Sequence, residues 1–215
     1  MTGALRADAF DALLAGRTSR LVRDDGRALP LDPARWRAAA DTDDAWLLDR
    51  CTGPTLDLGC GPGRLVTALT VRGVRALGVD SSVVARMLCR RRGAAMVHRD
   101  LFGQLPGEGA WVHVLLADGN IGIGGDPARL LGRAATLLAP GGTVLVEAGP
   151  DPFELWTGTV RTGGSGRRGA GGGVPWASVG AVALCALARA AGFSATACAR
   201  TASGRVFVEL TPMAG

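Results

Sequence analysis

The chain has 215 residues, of which 47% are apolar and 20% charged, so it is long enough for one domain with a sizeable core and does not have a disordered composition. Its net charge is +5, but all 24 of its cationic side chains are arginine, so we read the excess as compositional bias and as weak evidence for a polyanionic partner. Five cysteines without a C-x-x-C spacing predict neither a disulfide framework nor a metal site, and no apolar run is long enough to span a bilayer.

The first 50 residues are predicted to be mainly helical, and an alternation of strands and helices follows them. Helices are predicted over 7–15 and 34–50, where Asp32 and Pro33 are start signals for the second helix and Asp41 to Asp44 could begin a new helical turn. Strands are then predicted over 55–59, 74–80, 94–100, 111–118 and 143–148, and helices over 63–72, 82–92, 127–139 and 176–191.

The strands are nearly all apolar and alternate with helices, a pattern typical of an α/β fold with a parallel sheet covered on both faces. The segments FSATACARTA and RVFVELTP, separated by Ser203 and Gly204, are predicted to form a closing hairpin. That hairpin adds one antiparallel strand to an otherwise parallel sheet.

A glycine-rich turn follows the first strand of the alternating region. Gly59, Gly61 and Gly63 have the spacing G-x-G-x-G, whereas a dinucleotide-binding loop needs a third glycine at the place of Arg64. Asp57, two positions before the loop, would repel a pyrophosphate and attract a ligand that carries an ammonium and a sulfonium group. The loop therefore favours a cationic ligand and argues against NAD or FAD.

Aspartates follow three successive strands. Asp57 lies at the end of the first, Asp80 at the end of the second and Asp100 at the end of the third. The carboxyl ends of parallel strands form the edge of an open α/β sheet where ligands bind, so these side chains are expected to surround one site. A carboxylate can accept hydrogen bonds from two vicinal hydroxyl groups at once.

The segment LDLGCGPGR resembles the first motif of class I S-adenosylmethionine-dependent methyltransferases, and the resemblance extends from about Pro54 to Pro212. It implies a Rossmann-like three-layer sandwich, with a seven-stranded, mostly parallel sheet whose last strand is antiparallel and with helices on both faces. It also implies S-adenosylmethionine as the cofactor and S-adenosylhomocysteine as the product.

The resemblance assigns cofactor-binding roles to residues at the strand ends. Asp80, followed by Ser81, matches the residue that binds the ribose hydroxyls, and Asp100, followed by Leu101, matches the one that binds the adenine amino group. The methionine portion is assigned to Asp57, Gly59, Cys60, Gly61 and Gly63. Ala117 and Asp118 match the strand end that meets the methionine ammonium and the methyl acceptor.

Methyl transfer from a sulfonium is an in-line displacement, so positioning lowers much of the barrier, and a general base helps an oxygen acceptor. Asp118 and Asn120 are the predicted catalytic residues on the acceptor side, and Glu147 is a further candidate. His98 and His113 lie inside apolar strands and are interpreted as structural.

Two segments are predicted to determine the acceptor, as they do in the family. They are an N-terminal helical extension or lid over 1–50 and a variable insertion, 149–180, within the cofactor-binding domain 51–215. The insertion contains a glycine-rich run, 163–173, and Arg161, Arg167 and Arg168 are available there for an anionic group. The alternative is a surface loop that does not contact substrate.

The function predicted from the sequence is methyl transfer to an oxygen, nitrogen or carbon atom of a small molecule. The alternatives are a methyltransferase that acts on RNA or protein and a non-methylating protein that binds the cofactor. The segment DGNIGI lacks the N-P-P-Y pattern of enzymes that modify adenine or glutamine nitrogen. We expect a cytoplasmic monomer or homodimer with no nucleic-acid or membrane partner.

Overall fold

A computed structural model of the chain describes residues 9–163 and 173–213. Its centre is a seven-stranded sheet with the strand order β4-β3-β2-β5-β6-β10-β9. The strands are β2 (Thr55–Leu58), β3 (Ala76–Asp80), β4 (Met96–His98), β5 (Trp111–Leu116), β6 (Leu138–Ala148), β9 (Phe193–Arg200) and β10 (Val206–Pro212). Neighbouring strands from β4 to β6 are parallel, and β10 lies antiparallel between β6 and β9. The predicted fold class is confirmed.

Helices cover both faces of this sheet, because successive strand residues point to opposite sides. The helices are α1 (Ala9–Leu14), α2 (Pro33–Arg37), α3 (Ala45–Arg50), α4 (Arg64–Val71), α5 (Val83–Arg92), α6 (Pro127–Leu137) and α7 (Ala181–Ala190). On one face Val114 packs in a cluster with the buried side chains of α6 and α7. Leu115, the next residue, packs on the other face with those of α3 and α4.

The N-terminal segment differs from the prediction in one respect, since it contains a strand as well as helices. Residues 21–23 form a short strand, β1 (Leu21–Arg23), which pairs antiparallel with β7 (Leu155–Thr162), and β7 pairs with β8 (Val174–Val179). These three strands form a second sheet that joins the N-terminal segment to the insertion after β6. The insertion is therefore largely built as a hairpin that is packed on the first 50 residues. Residues 164–172, with Arg167 and Arg168, lie outside the described part of the chain.

The helix predicted over 34–50 is broken in the structure. It begins as predicted, because the Asp32 side chain accepts hydrogen bonds from the backbone of Ala34 and Arg35. It ends at Arg37, and a 3-10 turn over Thr42–Asp44 then leads into α3. The cause is a capping box: the Asp41 side chain accepts from the Asp44 backbone, and the Asp44 side chain accepts from the Asp41 backbone.

The helix predicted over 176–191 begins at Ala181, because residues 174–179 pair with β7 instead. Gly180 separates the strand from the helix, and a side chain there would collide with the backbone of Asp151 and Pro152. No helix among residues 9–163 and 173–213 has both the length and the hydrophobicity needed to cross a membrane.

We predict that Gly63 is required for the packing of α4 on α5. Its φ is +78°, and an added Cβ would lie 2.5 Å from the Ala94 Cβ and 2.9 Å from the Cys89 Sγ. Gly73 is a matched control, since its φ is also +78° but nothing lies within 4 Å of an added Cβ. In urea unfolding, Gly73→Ala should cost about 1–2 kcal/mol for its backbone conformation, and Gly63→Ala about 1–3 kcal/mol more for the collision. Equal losses would contradict this prediction.

Candidate active site

A cavity of about 240 Å³ opens at the carboxyl ends of β2, β3 and β5. All the residues predicted from the sequence as catalytic or cofactor-binding line it, apart from Gly63 and the further candidate Glu147. These lining residues are Asp57, Gly59, Cys60, Gly61, Asp80, Ser81, Asp100, Leu101, Ala117, Asp118 and Asn120. The topology of the sheet thus brings together the strand ends that the sequence separates by about twenty residues each.

Backbone hydrogen bonds hold the glycine loop against the neighbouring strand. The N–H groups of Gly59 and Cys60 both donate to the Val79 carbonyl, at 2.8 and 3.1 Å. The Asn120 side-chain amide donates to the carbonyls of Leu58 and Gly59, at 2.9 Å each. Gly59 has φ +77°, and a side chain there would lie 2.8 Å from the Asn120 amide nitrogen. Asn120 is therefore a contact of the loop itself.

Gly63 lies beside the cavity but does not line it. It is the N-cap of α4, and a side chain there would collide with Cys89 of α5 and with Ala94, just after that helix. It thus serves the close packing that the third glycine serves in a dinucleotide loop. Its predicted direct contact with the cofactor stays a prediction.

Asp80 connects the second strand to the glycine loop. One oxygen of its carboxylate accepts the Gly61 N–H at 2.9 Å, and the other accepts the Ser82 N–H at 2.8 Å. Asp100 lies on an exposed turn after β4 and accepts the Phe102 N–H at 2.9 Å. Both carboxylates are therefore oriented by backbone donors while they line the cavity.

Asp57 is the most deeply buried carboxylate of the cavity, and only 3% of the residue is exposed. Burial raises the pKa of its side chain to about 7, and the negative charges of Asp118 and Asp80 act in the same direction. The positive charge of Arg64 lowers this pKa but does not outweigh the rest. A cationic ligand next to Asp57 would favour its charged form.

Asp118 has φ +54°, the one positive φ outside glycine in the described part of the chain. Such a conformation is uncommon and is stabilised here by side-chain contacts. One oxygen of its carboxylate accepts from Arg35 at 2.7 Å, and the other accepts from Arg64 at 2.8 Å. Burial raises the pKa of Asp118, but the two arginines outweigh it and hold this pKa below its ordinary value.

A network of ion pairs extends from Asp118 across the strand ends; we call it the arginine-carboxylate network. It consists of Arg35, Arg64, Arg205, Asp44, Asp118 and Glu147. Arg205 donates to both oxygens of Glu147, at 2.9 Å each, and to Asp44 at 2.9 Å. Arg64 donates to Asp44, which is fully buried. The Glu147 carboxylate also accepts the Asp118 N–H at 2.7 Å.

A second cavity, of about 400 Å³, lies on the other side of Asp118. The two cavities share Asp118 and Trp176 in their linings. Arg35, Glu147 and Arg205 line the second cavity, so one end of it is formed by the arginine-carboxylate network.

The first cavity is lined in part by the two variable segments, which the sequence predicts as a cover, although Phe10 and Leu14 were not singled out there. Phe10, Leu14 and Trp36 line it from the N-terminal segment, and Trp176 lines it from β8. The Phe10 and Trp176 rings are in contact, with centroids 4.3 Å apart. A signal was present, since aromatic residues are concentrated in these two variable segments, but their pairing depends on contacts between distant parts of the chain. Arg99 at the end of β4 was also missed.

Neither histidine lines either cavity. His113 is buried, its ring nitrogens contact Thr52 and Thr143, and burial lowers its pKa. His98 bonds to the Ser81 carbonyl at 2.8 Å. Their interpretation as structural residues agrees with these contacts.

The comparisons with known proteins agree with the fold. Residues 56–146 match the family model described as a methyltransferase domain. The chain is 33% identical over 96 residues to a trans-aconitate 2-methyltransferase of Paracidovorax citrulli; the match spans 43% of this chain, and the chain covers 37% of that relative.

Two solved structures show the same fold over most of the chain. One is an S-adenosylmethionine-dependent methyltransferase of Bacteroides fragilis in complex with S-adenosylhomocysteine, with a TM-score of 0.75, 17% identity and coverage of 100% of this chain and 98% of that one. The other is the 1,6-didemethyltoxoflavin-N1-methyltransferase of Burkholderia thailandensis, with a TM-score of 0.58, 19% identity and coverage of 75% and 71%.

The resemblance predicted from the sequence is confirmed in that the chain has the fold of S-adenosylmethionine-dependent methyltransferases and contains a match to the methyltransferase-domain family. Residues 56–146 are the part of the chain that matches this family. This segment begins in β2 and ends in β6, so it contains the glycine loop and the strand-end aspartates.

We predict that Asp57→Asn changes the pH dependence of stability. The folded-state pKa of about 7 lies above the unfolded value of about 3.9, so the folded chain holds the Asp57 proton more tightly. The wild type therefore loses this stabilisation as the pH rises through 7, whereas the asparagine variant has no such proton to lose. Between pH 5 and pH 8 the variant should gain about 2–3 kcal/mol relative to the wild type.

The measurement is urea unfolding of both proteins at several pH values. Asp49→Asn is the control, because Asp49 lies outside both cavities and its side chain is 65% exposed in an ion pair with Arg72. A stability difference between Asp57→Asn and the wild type that stays constant from pH 5 to pH 8 would disprove the raised pKa.

Proposed function

We propose that the protein transfers the methyl group of S-adenosylmethionine to a small molecule and releases S-adenosylhomocysteine. The observation that carries this proposal is the set of strand-end carboxylates around one cavity, in which Asp57, Asp80 and Asp100 lie next to the glycine loop. This arrangement supports a nucleoside ligand that has hydroxyl groups and a positive charge.

The charges of the first cavity fit this cofactor. Two arginines and four carboxylates line this cavity. The arginines are Arg64 and Arg99, and the carboxylates are those of Asp57, Asp80, Asp100 and Asp118. A cationic sulfonium and an ammonium are attracted by such a surplus of negative charge, whereas a pyrophosphate is repelled. The Trp36 indole N–H and the Arg64 Nε–H, both buried, have no partner in the described part of the chain and are available to a ligand oxygen.

In the proposed complex, the Asp80 carboxylate binds the ribose hydroxyls, and Asp100 with Leu101 binds the adenine. The glycine loop and Asp57 hold the methionine portion, next to Ala117. When bound, S-adenosylmethionine supplies a methyl group on a positively charged sulfur. The chain contributes alignment and the exclusion of water, since Phe10 and Trp176 cover the cavity.

The contacts of Asp118 and Asn120 favour positioning roles. A carboxylate that is paired with Arg35 and Arg64 and has a lowered pKa is a weak proton acceptor. The Asn120 side-chain amide donates to one carbonyl of β2 and to one of the glycine loop. We propose that Asp118 fixes the wall between the two cavities and that Asn120 fixes the glycine loop.

A small-molecule acceptor is supported by the second cavity, whose volume of about 400 Å³ is in the range of small-molecule sites. The relatives named above are described as acting on trans-aconitate and on 1,6-didemethyltoxoflavin, which are small molecules. The N-terminal segment and β8 contribute walls to both cavities. We therefore propose that residues 1–50 and the insertion together form a cover that selects the acceptor.

We predict that Asp80→Ala weakens the binding of S-adenosylhomocysteine by about 1.5–3 kcal/mol, the range for hydrogen bonds to a charged group. Titration calorimetry with S-adenosylmethionine, S-adenosylhomocysteine and NAD measures this. Asp151→Ala is a matched control: the Asp151 side chain also accepts a backbone N–H two residues on, at 3.0 Å, but lies outside both cavities. Unchanged affinity in Asp80→Ala, or tighter binding of NAD to the wild type, would overturn the assignment.

A further inference from the structure

The second cavity combines apolar walls with one charged end. Its apolar residues come from the N-terminal segment and from the strand ends, and Leu29, Leu31, Ile121 and Val179 are among them. Its charged end is formed by Arg35, Arg205, Asp118 and Glu147 of the arginine-carboxylate network. A ligand that fills this cavity therefore has an apolar body and one polar or charged group.

The carboxylates of the network already have their hydrogen-bond donors. Both oxygens of Asp118 accept from arginine, and both oxygens of Glu147 accept from Arg205. In Asp44 one oxygen accepts from Arg205 and the other from Arg64 and the Asp41 N–H. A cationic or donating ligand would therefore find few free acceptor positions on these carboxylates.

The arginines, by contrast, keep donors to spare. A guanidinium has five N–H groups that can donate hydrogen bonds. Arg35 donates from Nε and Nη2 to Asp118, and from Nη2 also to Glu147. Its Nη1 has no hydrogen bond within residues 9–163 and 173–213. The network is therefore complementary to a ligand that brings oxygens that accept hydrogen bonds.

Arg35 is the member of the network that a ligand can reach. Its side chain is 21% exposed, against 7% for Arg205 and 3% for Arg64. It lies on the short helix α2 of the N-terminal cover, so it enters the cavity from the variable part of the chain. Arg205 forms ion pairs with Asp44 and Glu147, and these pairs stabilise the charged end of the cavity.

We propose that the second cavity binds the methyl acceptor through a carboxylate group, which Arg35 holds, with the apolar body of the acceptor against the walls named above. This inference rests on the proposed function, since it names the chemical class of the acceptor. Arg35 determines specificity here: an amine in the same place would lie next to Arg35 and Arg205 and would find no unpaired carboxylate.

The experiment uses the full chain saturated with S-adenosylhomocysteine. The probes are 3-phenylpropionate, 3-phenylpropionamide and 3-phenylpropylamine, which share an apolar body and differ in the polar group. Calorimetry and ligand-observed NMR at millimolar probe concentration measure their binding to the wild type, Arg35→Gln, Arg35→Lys and Arg27→Gln. Arg27 is a matched control because it is an exposed arginine of the same segment and lines neither cavity.

The carboxylate should bind at least about tenfold more tightly than the amide and the amine, and Arg35→Gln should remove about tenfold of its affinity, as expected for a hydrogen bond to a charged group. Arg35→Lys should fall in between, and Arg27→Gln should match the wild type. Equal binding of the three probes, no binding of the carboxylate, or an unchanged affinity in Arg35→Gln overturns the inference.

The affinity for S-adenosylhomocysteine, measured first in each variant, separates this inference from the proposed function. If the wild type fails to bind S-adenosylhomocysteine, the proposed function is wrong. If it binds and only the probe pattern fails, the cofactor assignment stands and the acceptor class is wrong. Unchanged affinity for S-adenosylhomocysteine in Arg35→Gln also shows that the variant is folded.

Discussion

Three arginines and three carboxylates meet at the strand ends, and the construction of the site depends on their pairing. Asp44 comes from the N-terminal segment, Arg64 from the start of α4, and Arg205 from the turn of the last hairpin, just before β10. Three distant parts of the chain are thus held together at one edge of the sheet. Breaking such a pair is costly, because the remaining charge is left buried without a partner. The same pairing holds Asp118 in its unusual backbone conformation and so fixes the wall between the two cavities.

The parts of the fold that local patterns specify could be predicted from the sequence. Apolar strands, glycine turns and strand-end aspartates are local features, and they indicate the succession of strands β2 to β6 along the chain. The location of the site could then also be predicted, because parallel strands bring their carboxyl ends to one edge of the sheet. The resemblance carried by LDLGCGPGR added the seven-stranded topology and the identity of the cofactor.

The rest depends on contacts between residues far apart in the chain. β1 has only three residues and is a strand because Val22 pairs with Arg161. Residues 176–179 are all buried, and a short apolar run of this kind does not distinguish a strand from a helix. Arg64 was interpreted only as an obstacle to a dinucleotide, since nothing near it in the sequence indicates that Asp44 and Asp118 are its partners.

The second sheet limits the ways in which the substrate preference of such a protein can change. Since β1 comes from the N-terminal segment and β7 and β8 from the insertion, the second sheet is one hydrogen-bonded piece made from two remote segments, and its strand β8 helps to line both cavities. Exchanging one segment alone would leave strand edges unmatched and aromatic neighbours such as Phe10 and Trp176 without each other. We therefore expect new substrate preferences to arise by paired changes in both segments, without changes in the strands from β2 to β6.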